Sequence, residues 1–374
     1  MIERKLKQII SSKKDSNKAI IIIGARQVGK TTLLKEFLLN KQYLFLNGDD
    51  PQIRETLSNA NTEELKRIIG KHKILFFDEA QRIHNIGLTL KLIIDQFEEV
   101  QLYVSGSSSF ELTQNINEPL TGRKWEYQLY PISWEELENH IGYLTSEQQL
   151  KDRLIYGMYP EIINHQGNEE ELLVEIANSY LYKDLLAFSN IRKPWVLEKL
   201  LRALALQIGS EVSLNELSKT IGIDKNTVNN YIDILKKGFV IFSLSSFSRN
   251  MRNEIKNNQK IYFYDLGIRN VIINNFNNID DRADKGAIWE NFLIAERIKN
   301  IAYQTKNVNY YFWRTTSQQE IDWIEERNGK IKAFDFKWSD KKVAKTPLKF
   351  QKTYQAEVET ITPKNFRDFI SINF

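Results

Sequence analysis

The chain has 374 residues, of which 42% are hydrophobic and 27% charged, a composition typical of an ordinary globular protein with two or three domains. It has no cysteine, which excludes disulfides and thiolate metal sites, and its four histidines lack metal-ligand spacing. No apolar run approaches the length of a membrane span, and the formal charge of +4 is too small to indicate nucleic-acid binding by itself.

A buried strand followed by a glycine-bracketed loop stands near the start of the chain. Four consecutive isoleucines at 20–23 are typical of a parallel strand covered on both faces. The loop reads G-x-x-x-x-G-K-T, and a helix is expected to begin at its end. An ordinary strand–turn–helix with a chance pair of glycines is the alternative. The context favours a nucleoside triphosphate site formed by Gly24, Ala25, Arg26, Gln27, Val28, Gly29, Lys30, Thr31 and Thr32.

The chemistry of phosphate binding explains the residue types in this loop. Gly24 and Gly29 let the backbone approach phosphate oxygens, and the N–H groups at the helix start favour an anion. Lys30 can reach the β- and γ-phosphates, and the hydroxyl of Thr31 can ligate Mg²⁺. The loop therefore predicts ATP and Mg²⁺ as the bound species.

A second buried strand, at 74–77, ends in two adjacent acids. Asp78 is expected to hold the magnesium through water, and Glu79 to orient or activate the attacking water. A charged helix cap is the alternative, and it would leave the phosphate loop without its usual magnesium partner. Together the two strands predict a hydrolase.

Two further polar groups are candidates for the same site. The strand at 100–104 is expected to lie between the other two strands, so Ser107 or Ser105 at its end can position water beside the γ-phosphate, unless Ser107 or Ser108 is simply a helix N-cap. Arg123 is a candidate finger for transition-state charge, in cis or from a neighbouring subunit. Its alternative is a plain surface arginine.

These motifs, in this order, resemble a large family of bacterial and archaeal AAA+-like ATPases that carry a C-terminal domain of uncharacterised function. The matching segments are residues 24–32, 77–81, 105–109, 120–123, 129–137 and 156–161. The resemblance covers nearly the whole chain. It implies an AAA+-type core of the additional-strand, catalytic-glutamate class, followed by a helical lid, but it supplies no substrate.

The middle of the chain reads as helical. Ser133 and Glu136 form a capping-box pattern, and residues 147–158 and 169–188 have helical apolar spacing. Residues 214–220 and 225–237 have helix-turn-helix spacing, and the stretch 240–264 is suited to a wing. The outward residues of the second helix, which would contact either DNA or a protein partner, are Lys225, Asn226, Asn229, Asn230 and Asp233.

The C-terminal region contains a hairpin whose register can be predicted. If Asn328 and Gly329 form a two-residue turn, the numbers of paired residues sum to 657. Asp322 then opposes Asp335 on one face, whereas the other face carries Ile321, Trp323, Phe334 and Phe336. Two carboxylates about 5 Å apart repel by roughly 3 kcal/mol at an effective dielectric of about 20, which a bridging metal would relieve.

This hairpin resembles the core of the PD-(D/E)xK nucleases. The resemblance implies a second metal site formed by Glu290, Asp322 and Asp335, with Lys337 beside it. Asp335 departs from the commoner glutamate, and the alternative is a face neutralised by Lys337 and Glu320 that cuts nothing. Residues 330–352 hold eight lysines against two aspartates, a local +6 that is either a phosphate-facing surface or a solvated face.

We therefore expect an α/β P-loop NTPase of AAA+-like type with a parallel sheet, a helical lid, a winged helix and a C-terminal α/β nuclease-like domain. The expected boundaries are 1–130, 131–190, 191–268 and 282–374, with an asparagine-rich linker at 270–281. The expected activity is Mg²⁺-dependent ATP hydrolysis that controls a C-terminal half in contact with DNA or a protein partner. The alternatives are an ATP-dependent nuclease of defence or repair and a nucleotide-gated switch with negligible turnover.

The expected location and partners follow from the same features. ATP binding, a charged N-terminus and the lack of a membrane span predict a cytoplasmic protein. The partners expected are ATP and ADP, DNA through the winged helix and the lysine-rich region 330–352, and a protein partner, with no membrane. An oligomer is compatible with the sequence, which does not specify one.

Overall fold

The computed structural model describes residues 1–14, 16–107, 119–179, 193–248, 259–304, 307–315, 317–340 and 346–371. Ser108, the second half of the predicted helix at 169–188, and Lys341, Lys342 and Lys345 of the lysine-rich region lie outside these residues. The chain divides into two compact units, one made chiefly of residues 1–132 and one made chiefly of the residues from 133 onward.

The first unit contains a five-stranded parallel sheet, with the strand order β2-β3-β4-β1-β5. The strands are β1 (Ala19–Ile23), β2 (Leu44–Asn47), β3 (Ile74–Asp78), β4 (Gln101–Gly106) and β5 (Lys124–Gln128). All five residues of β1 are buried, as expected for a strand inside a parallel sheet. The predicted parallel α/β sheet is confirmed, and so is the position of β4 between β1 and β3.

Five α-helices accompany this sheet among the described residues. They are α1 (Leu6–Lys13), α2 (Lys30–Phe37), α3 (Pro51–Leu57), α4 (Thr62–Ile69) and α5 (Ile86–Gln96). Helix α2 begins directly after Gly29, so its first backbone N–H groups lie at the phosphate loop. A short 3₁₀ helix, Ala80–Arg82, follows β3.

The second unit begins with four helices: α6 (Trp134–Ile141), α7 (Tyr143–Tyr156), α8 (Pro160–Asn164) and α9 (Glu169–Ile176). The capping box at the start of α6 is confirmed, because the Ser133 side chain accepts from the Glu136 N–H and the Glu136 carboxylate accepts from the Ser133 N–H. Within the described part of the chain, no helix combines the length and the apolar character needed to cross a lipid bilayer.

The break between α7 and α8 is organised by a distant aspartate. The Met158 N–H donates to the Asp265 carboxylate over 2.7 Å, and a Cβ at Gly157 would lie 2.1 Å from that carboxylate. Asp265 also caps α13 (Leu266–Ile272), whose Ile268 N–H it accepts. Asn270 is fully buried in α13, which ends at Ile272. The prediction that a linker begins at residue 270 is therefore wrong for residues 270–272.

Three helices and a small antiparallel sheet form the helix-turn-helix region. They are α10 (Pro194–Leu206), α11 (Leu214–Ile221), α12 (Lys225–Lys237), β6 (Glu211–Val212), β7 (Ile241–Ser245) and β8 (Gln259–Phe263), with the sheet order β6-β8-β7. The predicted pair of helices is confirmed. Gly222 ends α11 with a φ of +81°, and the Asp224 carboxylate accepts from the Thr227 N–H at the start of α12.

The C-terminal region contains a four-stranded sheet ordered β12-β11-β10-β9. Its elements are α14 (Lys285–Ala302), β9 (Asn309–Arg314), β10 (Glu320–Arg327), β11 (Lys330–Phe336), α15 (Leu348–Tyr354), β12 (Val358–Ile361) and α16 (Phe366–Ser371). The predicted order of helix, strand, hairpin, helix and strand is confirmed. Asn328 and Gly329 both have positive φ, as a two-residue turn of type I′ requires.

The hairpin register agrees with the predicted sum of 657 from Trp323 paired with Phe334 through Arg327 paired with Lys330. The predicted face of Ile321 is wrong. Ile321 packs in a buried cluster with Ile324 and Ala333 rather than with Trp323, because β10 shifts its register against β9 between residues 321 and 324. A bulge of this kind turns a side chain to the opposite face of the sheet.

Candidate functional site

The phosphate loop leaves the carboxyl end of β1 and is held close to neighbouring backbone. A Cβ at Gly24 would lie 2.2 Å from the Leu129 carbonyl oxygen, so only glycine fits there. Gly29 has a φ of +95°, and Gln27 also has a left-handed conformation, with a φ of +59°. Val28 is buried, whereas the side chains of Gln27 and Thr32 are exposed. The loop therefore has the tight backbone geometry that anion binding by successive N–H groups requires.

Lys30 is folded back onto its own loop. Its ammonium donates to the carbonyl oxygens of Gly24 and Ala25 over 3.0 and 2.7 Å, and the residue is only 5% exposed. Burial lowers the pKa of Lys30 to about 8, although Glu79 and Asp78 act in the opposite direction. A buried ammonium held by weak carbonyl acceptors is well placed to take a phosphate as a better partner.

Thr31 and Asp78 face each other across the start of α2 and the end of β3. The Thr31 hydroxyl donates to Asp78 Oδ1 and Oδ2 over 2.8 and 3.0 Å. Ser105, at the end of β4, also donates to Asp78 Oδ1. The hydroxyl and the carboxylate are hard oxygen donors of the kind that Mg²⁺ prefers, so this pair fits the magnesium of a bound nucleotide. These three residues come together because α2 follows β1, and β1, β4 and β3 are neighbours in the sheet.

Glu79 lies next to this pair in a strained backbone conformation. Its φ is +46°, which is uncommon for a residue other than glycine, asparagine or aspartate. Gly48 makes room for it, because a Cβ at Gly48 would lie 2.3 Å from the Glu79 carbonyl oxygen. The Gln81 side-chain amide donates to Glu79 Oε2 over 2.5 Å and to Ser107 Oγ over 2.9 Å. The structure thus brings Glu79 and Ser107 together through a glutamine that the sequence reasoning did not single out.

Arg4 is a second residue that the sequence reasoning missed. Its guanidinium donates to the Val28 carbonyl over 2.8 Å and to the Tyr130 carbonyl over 2.6 Å. The residue is 6% exposed, so these hydrogen bonds are shielded from water. Arg4 therefore ties the phosphate loop to the segment after β5. A basic residue at the N-terminus carries no sequence signal for such a contact.

Arg123 lies at the amino end of β1, whereas the phosphate loop lies at its carboxyl end. It precedes β5, its carbonyl accepts from the Ala19 N–H at the start of β1, and its guanidinium donates to Asp95 over 2.7 Å. The phosphate loop follows the far end of β1, five residues away, which is roughly 16 Å at about 3.3 Å per residue. This position does not favour action in cis, one of the two alternatives for Arg123, and a role toward a neighbouring subunit stays a prediction.

In the second predicted site, in the C-terminal region, the carboxylates are bound by a lysine or by a backbone N–H group. Lys337 pairs with Asp335 over 2.5 Å, and Asp322 Oδ2 accepts from the Phe336 N–H over 2.8 Å. Burial raises the pKa of Asp322 well above its usual value, and the nearby carboxylates of Glu290 and Asp335 raise it further. The three predicted ligands are thus close enough to interact electrostatically.

An unpredicted lysine occupies the middle of this cluster. Lys260, on β8, is 1% exposed and its ammonium binds Glu290 Oε1 over 2.9 Å and also pairs with Glu320. The Tyr262 hydroxyl donates to the same Glu290 oxygen over 2.6 Å. Burial lowers the pKa of Lys260, but Glu290, Asp322 and Glu320 outweigh it, so the pKa lies above the ordinary lysine value.

Glu290, Asp322 and Asp335 do not assemble as metal ligands. Across the described ranges of the chain, no group of three His, Cys, Asp or Glu side chains is arranged to hold a metal ion. The arrangement matches the alternative of a face neutralised from within, with Lys260 as well as Lys337 supplying the positive charge. The nuclease-like fold and activity stay predictions.

Three family models match successive parts of the chain. Residues 16–138 match the family described as AAA domain, residues 147–279 a domain of unknown function (DUF8612), and residues 285–368 a domain of unknown function (DUF4143). An uncharacterized protein of Methanocaldococcus jannaschii is 25% identical over 336 residues, which cover 82% of this chain and 72% of that protein. An uncharacterized protein of Haemophilus influenzae is 23% identical over 324 residues, which cover 80% and 77% of the two chains.

Among solved structures, the Walker-type ATPase of Pyrococcus abyssi is similar, with a TM-score of 0.54 and 16% identity over 73% of this chain and 96% of that one. At this identity the likeness concerns the fold, and it agrees with the parallel sheet and phosphate loop described above. Residues 16–138 are therefore similar to an AAA domain with a P-loop fold and residues 285–368 to a DUF4143 domain, in a chain that is similar to uncharacterized prokaryotic proteins.

Proposed function

We propose that this protein hydrolyses ATP in the presence of Mg²⁺. The observation that carries the proposal is the convergence of four polar groups at one edge of the sheet: the Lys30 ammonium, the Thr31 hydroxyl, and the carboxylates of Asp78 and Glu79. Each comes from a different position at the carboxyl ends of β1 and β3, where ligands bind in open α/β sheets. Their chemistry is that of phosphoryl transfer to water.

Each side chain has a separate task in this proposal. Lys30 exchanges the loop carbonyls for the β- and γ-phosphates, and the N–H groups at the start of α2 bind the same anion. Thr31 and Asp78 hold a magnesium ion, which would neutralise charge on the phosphates when bound. Glu79 accepts a proton from the attacking water, and its neighbours Gln81 and Ser107 lie within hydrogen-bond distance of one another.

Steady-state phosphate release tests this proposal. Wild type is expected to release phosphate from ATP with Mg²⁺, and Glu79→Gln to reduce the turnover number by roughly 10²- to 10⁴-fold, the usual contribution of a general base. Binding of a fluorescent ATP analogue should change little in Glu79→Gln, because that residue does not contact the phosphates in this account. Glu55→Gln, an exposed acid on α3, is the matched control. Equal turnover in wild type and Glu79→Gln would refute the hydrolytic role.

We further propose that the nucleotide state controls contact between the C-terminal half and DNA. The observation in favour is the outer face of α12, where Lys225, Asn226, Asn229 and Asn230 are exposed while Val228, Ile232 and Leu235 are buried. Amide side chains on an exposed helix face suit hydrogen bonding to base edges, and Lys225 suits a phosphate. Asp224, which caps α12, and Asp233, within it, carry negative charges that offset part of the positive charge of this helix.

A DNA-binding titration at several salt concentrations tests the second proposal. Binding is expected to weaken linearly with the logarithm of salt concentration and to differ between ATP and ADP. Lys225→Ala should reduce the salt slope by about one phosphate contact. If DNA does not bind, or binds without salt dependence, α12 instead serves a protein partner and the protein is a nucleotide-gated interaction switch.

A further inference from the structure

Gln81 has a buried polar side chain whose hydrogen bonds go to Glu79 and Ser107 rather than to the phosphate loop or to Thr31 and Asp78. It is 5% exposed and lies in the 3₁₀ helix directly after Glu79. Both hydrogens of its amide nitrogen are spent, one on the Glu79 carboxylate and one on the Ser107 hydroxyl oxygen. Gln81 thus links the ends of β3 and β4, in addition to the hydrogen bond from Ser105 to Asp78.

The oxygen of the same amide is buried and accepts no hydrogen bond from the residues that the structure describes. A buried acceptor without a donor is destabilising. A rearrangement that gives this oxygen a donor would therefore lower the free energy of the site. Ser107 is also buried, at 2% exposure, and a hydroxyl that accepts a hydrogen bond still has its own O–H to donate. The Ser107 hydroxyl can therefore serve either as the acceptor for Gln81, as seen here, or as a donor.

The backbone around Glu79 is held in place by its neighbours. A conformational change at this site is therefore expected to involve side chains rather than the backbone. The Gly48 N–H donates to the Asp78 carbonyl over 2.8 Å, and Gly48 packs against the Glu79 carbonyl with no space for a Cβ. The left-handed conformation of Glu79 fixes the direction in which its carboxylate leaves the chain. The Gln81 amide is consequently the contact that decides where that carboxylate points.

We propose that Gln81 is a positioning residue that couples Ser107 to Glu79, so that engagement of Ser107 by the γ-phosphate changes the placement of the Glu79 carboxylate. This inference rests on the proposed function, because it concerns the same hydrolysis. In the arrangement described here the amide holds Glu79 by its donor side. When a phosphate accepts the Ser107 O–H, Ser107 shifts toward it while still accepting from the amide, and the amide moves the Glu79 carboxylate toward the attacking water.

The test is a double-mutant cycle on Gln81 and Ser107, measured both by turnover and by nucleotide affinity. Gln81→Met is expected to lower the turnover number roughly tenfold to a hundredfold, the size of a lost hydrogen bond to a charged group, with the ATP dissociation constant changed less than about threefold. Ser107→Ala should cause a similar loss, and the double variant should be no worse than the weaker single variant. A residue that merely supported the fold would not give this split or this non-additivity.

Matched variants keep the experiment interpretable. Gln101→Met removes a hydrogen-bonded glutamine at the opposite end of β4, where the side chain donates to the Lys18 carbonyl, and should leave the turnover number within about twofold. Gln81→Asn keeps an amide but shortens it, and replaces Gln81→Met if the latter melts at a lower temperature than wild type. Independent, multiplicative losses from Gln81 and Ser107 would overturn the coupling, as would wild-type turnover in Gln81→Met.

A second readout separates this inference from the proposed function. The ratio of ADP to ATP dissociation constants needs no hydrolysis, and it reports how strongly the site senses the γ-phosphate. The coupling predicts that Gln81→Met and Ser107→Ala shift this ratio by the same factor and that the double variant shifts it no further. If wild type shows no turnover above Glu79→Gln, the hydrolytic function fails while this ratio still decides the coupling. An unchanged ratio in Gln81→Met overturns it.

Discussion

The hydroxyl of Thr31 shares its one hydrogen between both carboxylate oxygens of Asp78, which lie 2.8 and 3.0 Å away. The two residues are 47 positions apart in the sequence, and they meet because α2 follows β1 and Asp78 ends β3, with β4 between the two strands. The contact makes the two halves of the predicted nucleotide site one structural unit.

Replacement of Thr31 tests whether this unit binds magnesium. Thr31→Val keeps the shape of the side chain but removes the hydroxyl, so Mg²⁺ should no longer raise ATP affinity as it does in wild type. We expect a loss of roughly tenfold to a hundredfold in that gain, the size of a hydrogen bond or ligand interaction with a charged partner. Titrations of a fluorescent ATP analogue with Mg²⁺ and with EDTA measure it. Thr31→Ser is the control, and an undiminished magnesium effect in Thr31→Val contradicts the assignment.

The low pKa of Lys30 predicts a pH dependence of ATP binding. Burial brings this pKa to about 8, so above that pH the free protein increasingly carries a neutral amine at the loop. Bound phosphates favour the ammonium, so binding at pH 9 should take up close to one proton and affinity should fall by up to about tenfold per pH unit above 8. Calorimetric titration in two buffers of different ionisation enthalpy measures the uptake. Binding without proton uptake at pH 9 would contradict this role.

The low pKa of Lys30 also makes the stability of the free protein depend on pH, in the direction opposite to ATP affinity. The folded state releases the Lys30 proton near pH 8, whereas the unfolded state holds it until about 10.5, so this group makes the free protein more stable as pH rises across that window. As pH rises above 8, ATP affinity should therefore fall while the free energy of unfolding of the free protein rises. Lys30→Arg should remove both dependences, because arginine stays charged.

Lys260 is predicted to stabilise the C-terminal region through its ion pairs with Glu290 and Glu320. Lys260→Met leaves the carboxylates of Glu290 and Glu320 without their buried cation, and breaking such a pair costs about 3–5 kcal/mol in the free energy of unfolding. Urea unfolding followed by tryptophan fluorescence measures this, because six of the seven tryptophans lie after residue 132. Lys219→Met, at an exposed site, should cost less than about 0.5 kcal/mol. Equal effects of the two variants would contradict the role of Lys260.

Asp322 predicts how the same region responds to pH. Its folded pKa lies well above the ordinary value of 3.8, mainly because of burial. Between these two values the folded state holds a proton that the unfolded state has lost, so this group makes stability fall as pH rises through that window. Asp322→Asn should remove that component and flatten the pH dependence of the urea midpoint from pH 4.5 upward. Asp152→Asn, at an exposed acid, should leave the dependence as it is in wild type.

Sequence reasoning succeeded where the chemistry is local. The phosphate loop, the acids at the end of β3 and the hairpin turn at Asn328 and Gly329 are each recognisable within about ten residues, and the turn fixes the register of β10 against β11 by arithmetic. It failed for Ile321, because a bulge is decided by packing against β9 rather than by alternation within β10.

The residues that sequence reasoning missed act across long separations. Arg4 reaches Tyr130 over 126 positions, Lys260 reaches Glu290 over 30, and Gln81 reaches Ser107 over 26. A single arginine, lysine or glutamine has no pattern that distinguishes it from its many surface counterparts. The signal that finds such residues is burial of a polar side chain, which requires the folded structure.

A single-turnover measurement decides whether Glu79 drives hydrolysis of ATP at this site. Radiolabelled ATP is bound to excess protein, and the release of γ-phosphate is followed after Mg²⁺ is added, in wild type and in Glu79→Gln. We expect wild type to cleave the bound ATP and Glu79→Gln to retain it at least about a hundredfold longer. Equal cleavage rates in the two proteins, or ATP that stays intact in both, would contradict this expectation.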